Sequence, residues 1–303
     1  MKHIMKLQTS EFIEIHKKFC AYIGARALKN PRLYSTIVTE FMVWLEQRGI
    51  SHIKQVKQIE LQEYYTYLIQ RPNTRKAGTL SDSTIKNHLL VLNILFQYLL
   101  DSGFLKRIYV TPRYKIKDQK ERSVLTKEEI KQLYAVCANE LETVLLHICY
   151  GCGLRRSEAY MLNVKDIQFS QGIVIVCKGK WNKRREVPMS KKIQEDIKDY
   201  VVRIRPLLLK EQICIEQAFF VHTNGMRMSK NMLNKTLQEI VERSQQQQII
   251  EKHITLHCLR HSIATHLIEN NAGFEEIQKF LGHSCIDTTQ LYAIRRKKRI
   301  NLT

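Results

Sequence analysis

One short stretch of alternating β-branched residues stands in a chain whose other apolar residues recur mostly at helical spacing. The stretch is GIVIVC at 172–177, and it is followed by the polar turn KGKWNK and a second extended run, REVPM at 185–189. Two extended runs joined by a polar turn are typical of a β-hairpin, here with a basic tip. The predicted fold class is therefore mainly α, with one small β-hairpin or sheet in the second half of the chain.

Three helices are predicted in the first half of the chain, from apolar residues spaced three and four apart. They cover residues 33–48, 61–70 and 81–101. Gly49 and Pro72 are placed to end the first and the second of these helices. We therefore predict that this half forms an all-helical domain.

The long helix at 81–101 is predicted to begin at Ser81, because serine is a favourable N-cap residue. Its leucine and isoleucine residues share one face, which we assign to the core. Lys86, Asn87 and His88 are predicted to lie on another face of the same helix.

A charged segment separates the two halves of the chain. Residues 107–122 carry many basic side chains and a proline and lack helical periodicity, which favours an interdomain linker. A new helix is predicted to start at Thr126, because Glu129 completes the Thr-x-x-Glu spacing of a capping box. The predicted organisation is a helical domain over residues 1–110, a basic linker over 111–122, and a mixed α+β domain over 123–303.

The chain is strongly basic. It contains 49 lysine and arginine residues against 29 acidic residues, which gives a net charge of +20. This imbalance favours a polyanionic partner, with nucleic acid the leading candidate, over a merely solvated basic surface. The eight cysteines are scattered, and there is no secretory signal and no apolar run of roughly 18 residues. We therefore predict a cytosolic protein without a membrane segment.

Cys149 and Cys152 have the spacing of half a zinc site. No second CxxC pair follows them, and the surrounding segment YGCGLRR is typical of a helix that ends in a glycine turn. A GxxxxGK[ST] loop and a cluster of carboxylates for magnesium are also missing from the sequence. We therefore predict no metal ion and no cofactor.

Two arginines are candidates for binding one phosphate group. Arg155 follows a glycine-leucine turn, and Arg260 lies in a helix predicted to begin near Thr255. Guanidinium groups on two separate elements would hold a phosphate from two directions, although either arginine alone is better explained by a surface salt bridge. His257 stands three residues before Arg260 and can share a helix face with it.

Two further residue types would complete a site for phosphoryl transfer. Tyr292 could act as the nucleophile if neighbouring cations favour the phenolate, since the ordinary pKa of a tyrosine is about 10. A lysine at the hairpin tip could protonate a leaving 5′ oxygen, or it could neutralise a phosphate. The candidates are Lys178, Lys180 and Lys183.

Five boxes, in this order, resemble the tyrosine recombinases, the family of phage integrases and Xer-type proteins. They are GLRRSE at 153–158, GKWNKRREVP at 179–188, His257-x-x-Arg260-His261, Leu281-Gly-His283, and Tyr292. The resemblance covers the whole second domain. The first half is similar to the helical, SAM-like core-binding domain of this family, particularly over residues 83–99. The resemblance implies that this core-binding domain is followed by a catalytic domain of mixed α+β structure.

The resemblance implies a role for each matched residue. Arg155 and Arg260 would bind the scissile phosphate, and Tyr292 would attack it to form a 3′-phosphotyrosyl bond and a free 5′-hydroxyl. His257 would assist proton transfer and stabilise the phosphate. His283 would donate a hydrogen bond to a nonbridging oxygen.

Two further roles are implied by the same resemblance. Glu158 matches the accessory acid of the family, which supports the active-site network. Lys180 fits as the general acid, because the Gly-Lys-Gly-Asn-Lys turn of the family aligns with residues 179–183. Trp181 stands where the family often has glycine, and this departure leaves Lys178 as a rival.

The partners are implied in the same way. A double-stranded DNA recombination site would be gripped by two basic domains, and free monomers would form a homotetramer on two paired sites. An accessory DNA-bending protein or a partner recombinase could take part, whereas metal and ATP would not be needed. The predicted DNA contacts are Lys86, Asn87, His88, Lys178, Lys183 and Arg184. For the three residues on the long helix, the alternative is a plain solvent-exposed face without DNA contact.

Several functions fit this resemblance. The leading prediction is a site-specific DNA recombinase for the integration and excision of a mobile element, or for DNA inversion. The alternatives are Xer-like dimer resolution, a type IB topoisomerase, and a DNA-binding protein that does not cleave. The compact helical first domain speaks against a topoisomerase, and the presence of Arg155, Arg260 and Tyr292 speaks against a non-cleaving protein.

Overall fold

The computed structural model describes residues 6–28, 30–74, 77–114, 123–177, 184–209 and 217–282. The chain divides into two compact units, residues 1–120 and 121–303. The finer division, with a linker over 111–122, stays a prediction. None of the helices in the described ranges is long and apolar enough to cross a membrane.

The first unit is all-helical over its described residues. Its α-helices are α1 (Ser10–Ala25), α2 (Pro31–Glu46), α3 (Gln58–Gln70) and α4 (Asp82–Asp101), with a 3-10 turn at Ile53–Gln55. The three predicted helices are confirmed as α2, α3 and α4, with ends shifted by no more than about three residues. Ser81 caps α4 as predicted, since its hydroxyl accepts the backbone N–H of Thr84 at 3.3 Å.

Aromatic side chains fill the core of the first unit. Phe41 of α2 packs edge-on against Tyr64 of α3 and Phe96 of α4, with ring centroids 4.9 and 6.0 Å apart. All three side chains are buried. These large, rigid contacts orient α4, so that one of its faces packs on the other helices and the opposite face meets solvent.

His88 does not lie on the solvent face of α4. Its side chain is 3% exposed, and its Nδ1 lies 3.2 Å from the Tyr64 hydroxyl. His88 stands three residues after Ile85 and one before Leu89, so it falls on the buried stripe of the helix. The prediction that His88 contacts DNA is therefore wrong, because this side chain is enclosed by the core.

The burial of His88 predicts how the stability of the first unit depends on pH. Burial, and then the charge of Arg71, lower the pKa of His88 from 6.5 to about 4. Because the unfolded chain takes up this proton first, the His88 contribution is complete above pH 6.5 and is lost as the pH falls towards 4. Trp181→Phe leaves Trp44 as the single tryptophan, so that its fluorescence follows urea unfolding of the first unit. In this background the free energy of unfolding should fall as the pH is lowered from 6.5 towards 4, and His88→Gln should make this fall shallower. Equal pH slopes in the two proteins would contradict the assignment.

The second unit holds a small sheet among helices. Its strands are β1 (Ile167–Gln168), β2 (Ile173–Cys177) and β3 (Arg184–Pro188), and its helices before and just after the sheet are α5 (Lys127–Ala135), α6 (Glu140–Leu146), α7 (Arg156–Met161), α8 (Lys191–Asp199) and α9 (Arg205–Leu209). The later helices are α10 (Lys230–Arg243), α11 (Gln247–Ile250), α12 (Leu256–Glu269) and α13 (Phe274–Leu281). The predicted start of α5 is confirmed, with both hydrogen bonds of the Thr126–Glu129 capping box present.

The three strands form an antiparallel sheet in the order β1-β2-β3. The predicted hairpin is confirmed, with Val174 opposite Val187 and Val176 opposite Arg185. The two-residue strand β1 was not predicted, since two residues are too few to show an alternating pattern. Residues two apart in a strand share a face, so Arg185 points to the same side as the buried Val187.

Candidate active site

Arg155 is placed by a change in helix geometry. Helix α6 widens into a π-helical turn at His147–Gly151, and Gly153 then redirects the chain with a φ of +60°. The predicted helix end at a glycine turn is therefore confirmed. A Cβ on Gly153 would lie 3.0 Å from a methyl group of Leu281, so α13 packs closely on this turn. Arg155 stands two residues after this glycine and is the N-cap residue of α7.

Glu158 lies at the centre of a cluster of three arginines. Its carboxylate accepts hydrogen bonds from Nη1 of Arg155 at 2.7 Å and from the backbone N–H of the same residue at 2.9 Å. Arg185 of β3 donates to both carboxylate oxygens, at 2.9 and 2.8 Å. Arg260 of α12 lies farther away, with its Nη1 3.7 Å from Oε2. Three elements that are distant in sequence therefore meet at one carboxylate.

Burial and charge have opposite effects on Glu158, whose side chain is 8% exposed. Burial alone would raise the pKa of Glu158, but the hydrogen bonds and charges of Arg185 and Arg155 lower it to about 2. The carboxylate is therefore ionised at neutral pH. Among the described residues, three guanidinium groups surround one carboxylate, and this excess of positive charge can stabilise an oxyanion.

The same three arginines bind the end of helix α13. Arg185 Nε donates to the carbonyl of Phe280 at 3.1 Å, and Arg155 Nη2 donates to the carbonyl of Gly282 at 3.4 Å. Arg260 donates to the carbonyls of Leu281 and Gly153. Three consecutive carbonyls at a helix C-terminus, where the helix dipole is negative, thus each accept from a cation.

The three arginines differ in their access to solvent. The side chain of Arg155 is 29% exposed, whereas those of Arg185 and Arg260 are 8% and 5% exposed. His257 is exposed near the start of α12, three residues before Arg260. Helix α12 begins where the sequence predicted it, so these two residues do share a helix. The accessible side of the cluster is thus formed by Arg155, and His257 lies one helical turn from Arg260.

Several predicted site residues cannot be placed relative to this cluster. Lys178, Lys180, Lys183, His283 and Tyr292 lie outside the described residues, so their roles stay predictions. Arg184 and Lys86 are exposed and Asn87 is half-buried. The DNA contacts of these three residues stay predictions.

The two cysteines with zinc-like spacing lie in the apolar core of the second unit. Cys149 and Cys152 are both buried and unpaired. Burial raises the pKa of both thiols, that of Cys152 to about 12. These two thiols stay protonated at neutral pH and pack as small apolar side chains.

Sequence reasoning missed Arg185. Arg185 stands two residues before Val187 and two after Lys183, within a run that was assigned only to a basic hairpin. Residues two apart in a strand share a face, so the alternation of the strand could have placed Arg185 on the same side as the apolar Val187. An inward-facing arginine on a strand needs a buried partner. Glu158 is that partner, but nothing in the local sequence links the two residues.

Comparisons with known proteins identify the family. Residues 123–299 match the phage integrase family, and residues 27–104 match the N-terminal SAM-like domain of phage integrases. The chain belongs to the phage integrase family. It is a tyrosine recombinase, an enzyme of site-specific recombination, and its mainly α fold with a SAM-like first domain and an integrase catalytic domain is confirmed.

Relatives named tyrosine recombinase XerD match over most of the chain. Tyrosine recombinase XerD of Staphylococcus saprophyticus is 30% identical over 297 residues, which cover 95% of each chain. XerD of Oceanobacillus iheyensis is 33% identical over 228 residues, which cover 73% of this chain and 74% of the relative.

Solved structures share the fold at lower identity. The Tn1549 transposon integrase in complex with circular intermediate DNA is 19% identical, with a TM-score of 0.71 over 93% of this chain and 94% of that one. XerH bound to difH substrate is 18% identical, with a TM-score of 0.70 over 97% of each chain.

The charge balance of the arginine cluster predicts the effect of neutralising its carboxylate. Glu158→Gln would leave the buried guanidinium group of Arg185 without its bidentate anion, so we expect a loss of about 3 to 5 kcal/mol in the free energy of unfolding at neutral pH. Glu186→Gln, on the exposed side of β3, is the matched control and should change stability by less than about 0.5 kcal/mol. Urea denaturation of both variants measures the difference, and equal losses would contradict the role of Glu158.

Proposed function

We propose that this recombinase cuts and rejoins double-stranded DNA through Tyr292. The tyrosine hydroxyl attacks the scissile phosphorus, its proton is removed, and the bond from phosphorus to the 5′ oxygen breaks. The products are a 3′-phosphotyrosyl ester and a free 5′-hydroxyl, and reversal of the step with another strand rejoins the DNA. One phosphate ester replaces another, so the reaction consumes no ATP and needs no metal.

The observation that carries this proposal is the arginine cluster around Glu158. A phosphodiester resists attack because its nonbridging oxygens are negative, and fixed cations in a partly dry site lower that barrier. Arg155 and Arg260 supply these cations, held at set positions by Glu158 and by the carbonyls at the end of α13. His283 follows Gly282 in the sequence, so the segment that leads to Tyr292 starts at the cluster.

The histidines have separate tasks in this scheme. His257, exposed near the start of α12, assists the transfer of the tyrosine proton and stabilises the phosphate. His283 donates a hydrogen bond to a nonbridging oxygen of the phosphate. Glu158 touches no reacting atom and acts by holding the arginines.

A lysine of the hairpin tip donates the proton that the leaving 5′ oxygen needs, and we assign this role to Lys180. Lys178 is the rival, since both stand in the turn between β2 and β3. A substrate with a 5′-phosphorothiolate link at the scissile position has a leaving sulfur that departs without a proton. We therefore expect Lys180→Ala to slow cleavage of ordinary DNA by about 100-fold but to leave cleavage of the sulfur substrate nearly unchanged. If Lys178→Ala shows this pattern instead, Lys178 is the general acid.

The DNA partner is supported by charge and by the relatives. The net charge of +20 favours a polyanion, and Lys86, Asn87, Lys183 and Arg184 are the proposed DNA contacts. Solved structures with this fold include XerH bound to difH substrate and a lambda integrase dimer bound to a core site. We further propose that monomers assemble into a homotetramer on two paired sites in the bacterial cytoplasm, with or without an accessory DNA-bending protein or partner recombinase.

Two biological roles are consistent with this chemistry. We favour integration and excision of a mobile element, or DNA inversion, and the likeness to the Tn1549 transposon integrase supports this role. Xer-like dimer resolution is the second candidate, because the XerD of Staphylococcus saprophyticus matches over 95% of both chains. Deletion of the gene separates the two roles, since loss of a dimer resolvase produces chromosome dimers, whereas loss of an integrase or invertase stops one local rearrangement.

A nicked suicide substrate tests the nucleophile. DNA that flanks the gene is nicked near the candidate site, so that the short strand carrying the 5′-hydroxyl diffuses away and the covalent complex accumulates. In EDTA and without ATP, the wild-type protein should become covalently linked to a 3′ DNA end, which a denaturing gel shows as a shifted band. Tyr292→Phe should reduce the amount of this covalent product by at least about 1000-fold. Tyr160→Phe, which changes the tyrosine nearest in sequence to Glu158, is the control and should retain the band. Covalent product from Tyr292→Phe would overturn the assignment.

A further inference from the structure

Arg185 occupies the active-site cluster without facing the substrate side. Its side chain is 8% exposed, compared with 29% for Arg155. Its two Nη atoms donate to the two oxygens of Glu158, and its Nε donates to the carbonyl of Phe280. The guanidinium group is thus committed on both of its edges to the protein itself.

We propose that Arg185 is a positioning residue for strand cleavage, which neutralises Glu158 and anchors the end of α13 so that Arg155 and Arg260 remain available to the phosphate. This inference rests on the proposed function of the cluster. It concerns a residue that touches neither the DNA nor the reacting atoms.

The charge balance of the cluster is the first reason. Glu158 needs a cation because its carboxylate is buried and ionised. Arg185 supplies a bidentate partner, which is the strongest geometry for an arginine and a carboxylate. Without it, the carboxylate would compete with the phosphate for Arg155, which is already at 2.7 Å, and for Arg260, which is at 3.7 Å. The excess positive charge available to the phosphate would then fall by one unit.

The second reason is the place of Arg185 between two chain segments. Arg185 is the second residue of β3, two residues after the 178–183 segment that contains Lys180 ends, and it holds the last turn of α13, which ends two residues before His283. Gly282 ends α13 with a φ of +59°, and a Cβ there would lie 2.6 Å from Cδ of Arg185. The glycine and the arginine therefore fit closely, and a single side chain ties the starting points of two proposed catalytic segments.

Four variants test this inference on the nicked substrate. Arg185→Met removes the positioning group, Arg185→Lys keeps one charge without the bidentate geometry, and Glu158→Gln/Arg185→Met removes the charge pair together. The control is Arg243→Met. Arg243 also makes a bidentate pair with a buried carboxylate, that of Glu142, and also donates to a backbone carbonyl, but it lies on α10 outside the cluster. Single-turnover cleavage and DNA affinity are measured for each protein, and thermal melting verifies that each is folded.

We expect Arg185→Met to reduce the cleavage rate by about 100-fold while DNA affinity changes by less than about threefold. Arg185→Lys should lose less, and Arg243→Met should cleave like the wild-type protein. The double variant should cleave faster than Arg185→Met, because it no longer holds an ionised Glu158 that has lost its bidentate partner and competes with the phosphate for Arg155 and Arg260. If Arg185→Met does not fold, the cleavage rate of Arg185→Lys is compared with that of the double variant. This comparison tests whether Glu158 slows cleavage when it lacks its bidentate partner.

The pH profile separates charge balance from a merely structural role. Loss of Arg185 removes the largest of the interactions that lower the pKa of Glu158, so this pKa should rise in Arg185→Met. The deficit in cleavage rate of Arg185→Met relative to wild type should therefore narrow as the pH falls and Glu158 takes up a proton, whereas the deficit of the double variant should not narrow. Arg155, Arg185 and Arg260 are the charged groups that face this carboxylate among the described residues. The inference would be overturned if Arg185→Met cleaved at the wild-type rate. It would also be overturned if the double variant cleaved as slowly as Arg185→Met and had the same pH profile. Absence of covalent product from the wild-type protein would overturn the proposed function itself.

Discussion

A single buried carboxylate organises the catalytic unit of this recombinase. Glu158 could not stay ionised in the interior without cations around it, and isolated arginines could not be buried beside it without an anion. The contacts of Arg155 and Arg185 with Glu158 therefore fix three elements at once, the start of α7, the strand β3 and, through Arg260, the helix α12. Among the described residues the cluster holds three arginines and one carboxylate, so it retains a net positive charge.

The glycines make this arrangement possible. Gly153 and Gly282 both adopt positive φ, and each lies where a Cβ would meet a neighbouring side chain at 3.0 Å or less. Gly153 turns the chain from the π-helical turn to Arg155, and Gly282 ends α13 against Arg185. Close backbone approach at these two turns lets the arginines reach the carbonyls at the end of α13.

Local patterns in the sequence were sufficient for most elements but not for the partners within the site. The spacing of apolar residues predicted α2, α3 and α4, and alternation predicted the hairpin, because both signals depend on near neighbours. The prediction for His88 was wrong because its polar side chain was assigned to the solvent face, although its position falls on the apolar stripe of α4. Arg185 was missed because its partner Glu158 lies 27 residues away in sequence, and only the folded chain brings them together. The family resemblance identified Arg155, Glu158 and Arg260, whose proximity the fold then showed.

The most direct test of the central claim is a structure of the Tyr292→Phe protein on an uncleaved DNA site. The account predicts that nonbridging oxygens of one phosphate lie within hydrogen-bonding distance of Arg155 and Arg260, while Arg185 keeps both of its hydrogen bonds to Glu158. A phosphate bound away from this cluster, or an Arg185 that has left Glu158 to bind the phosphate, would contradict it.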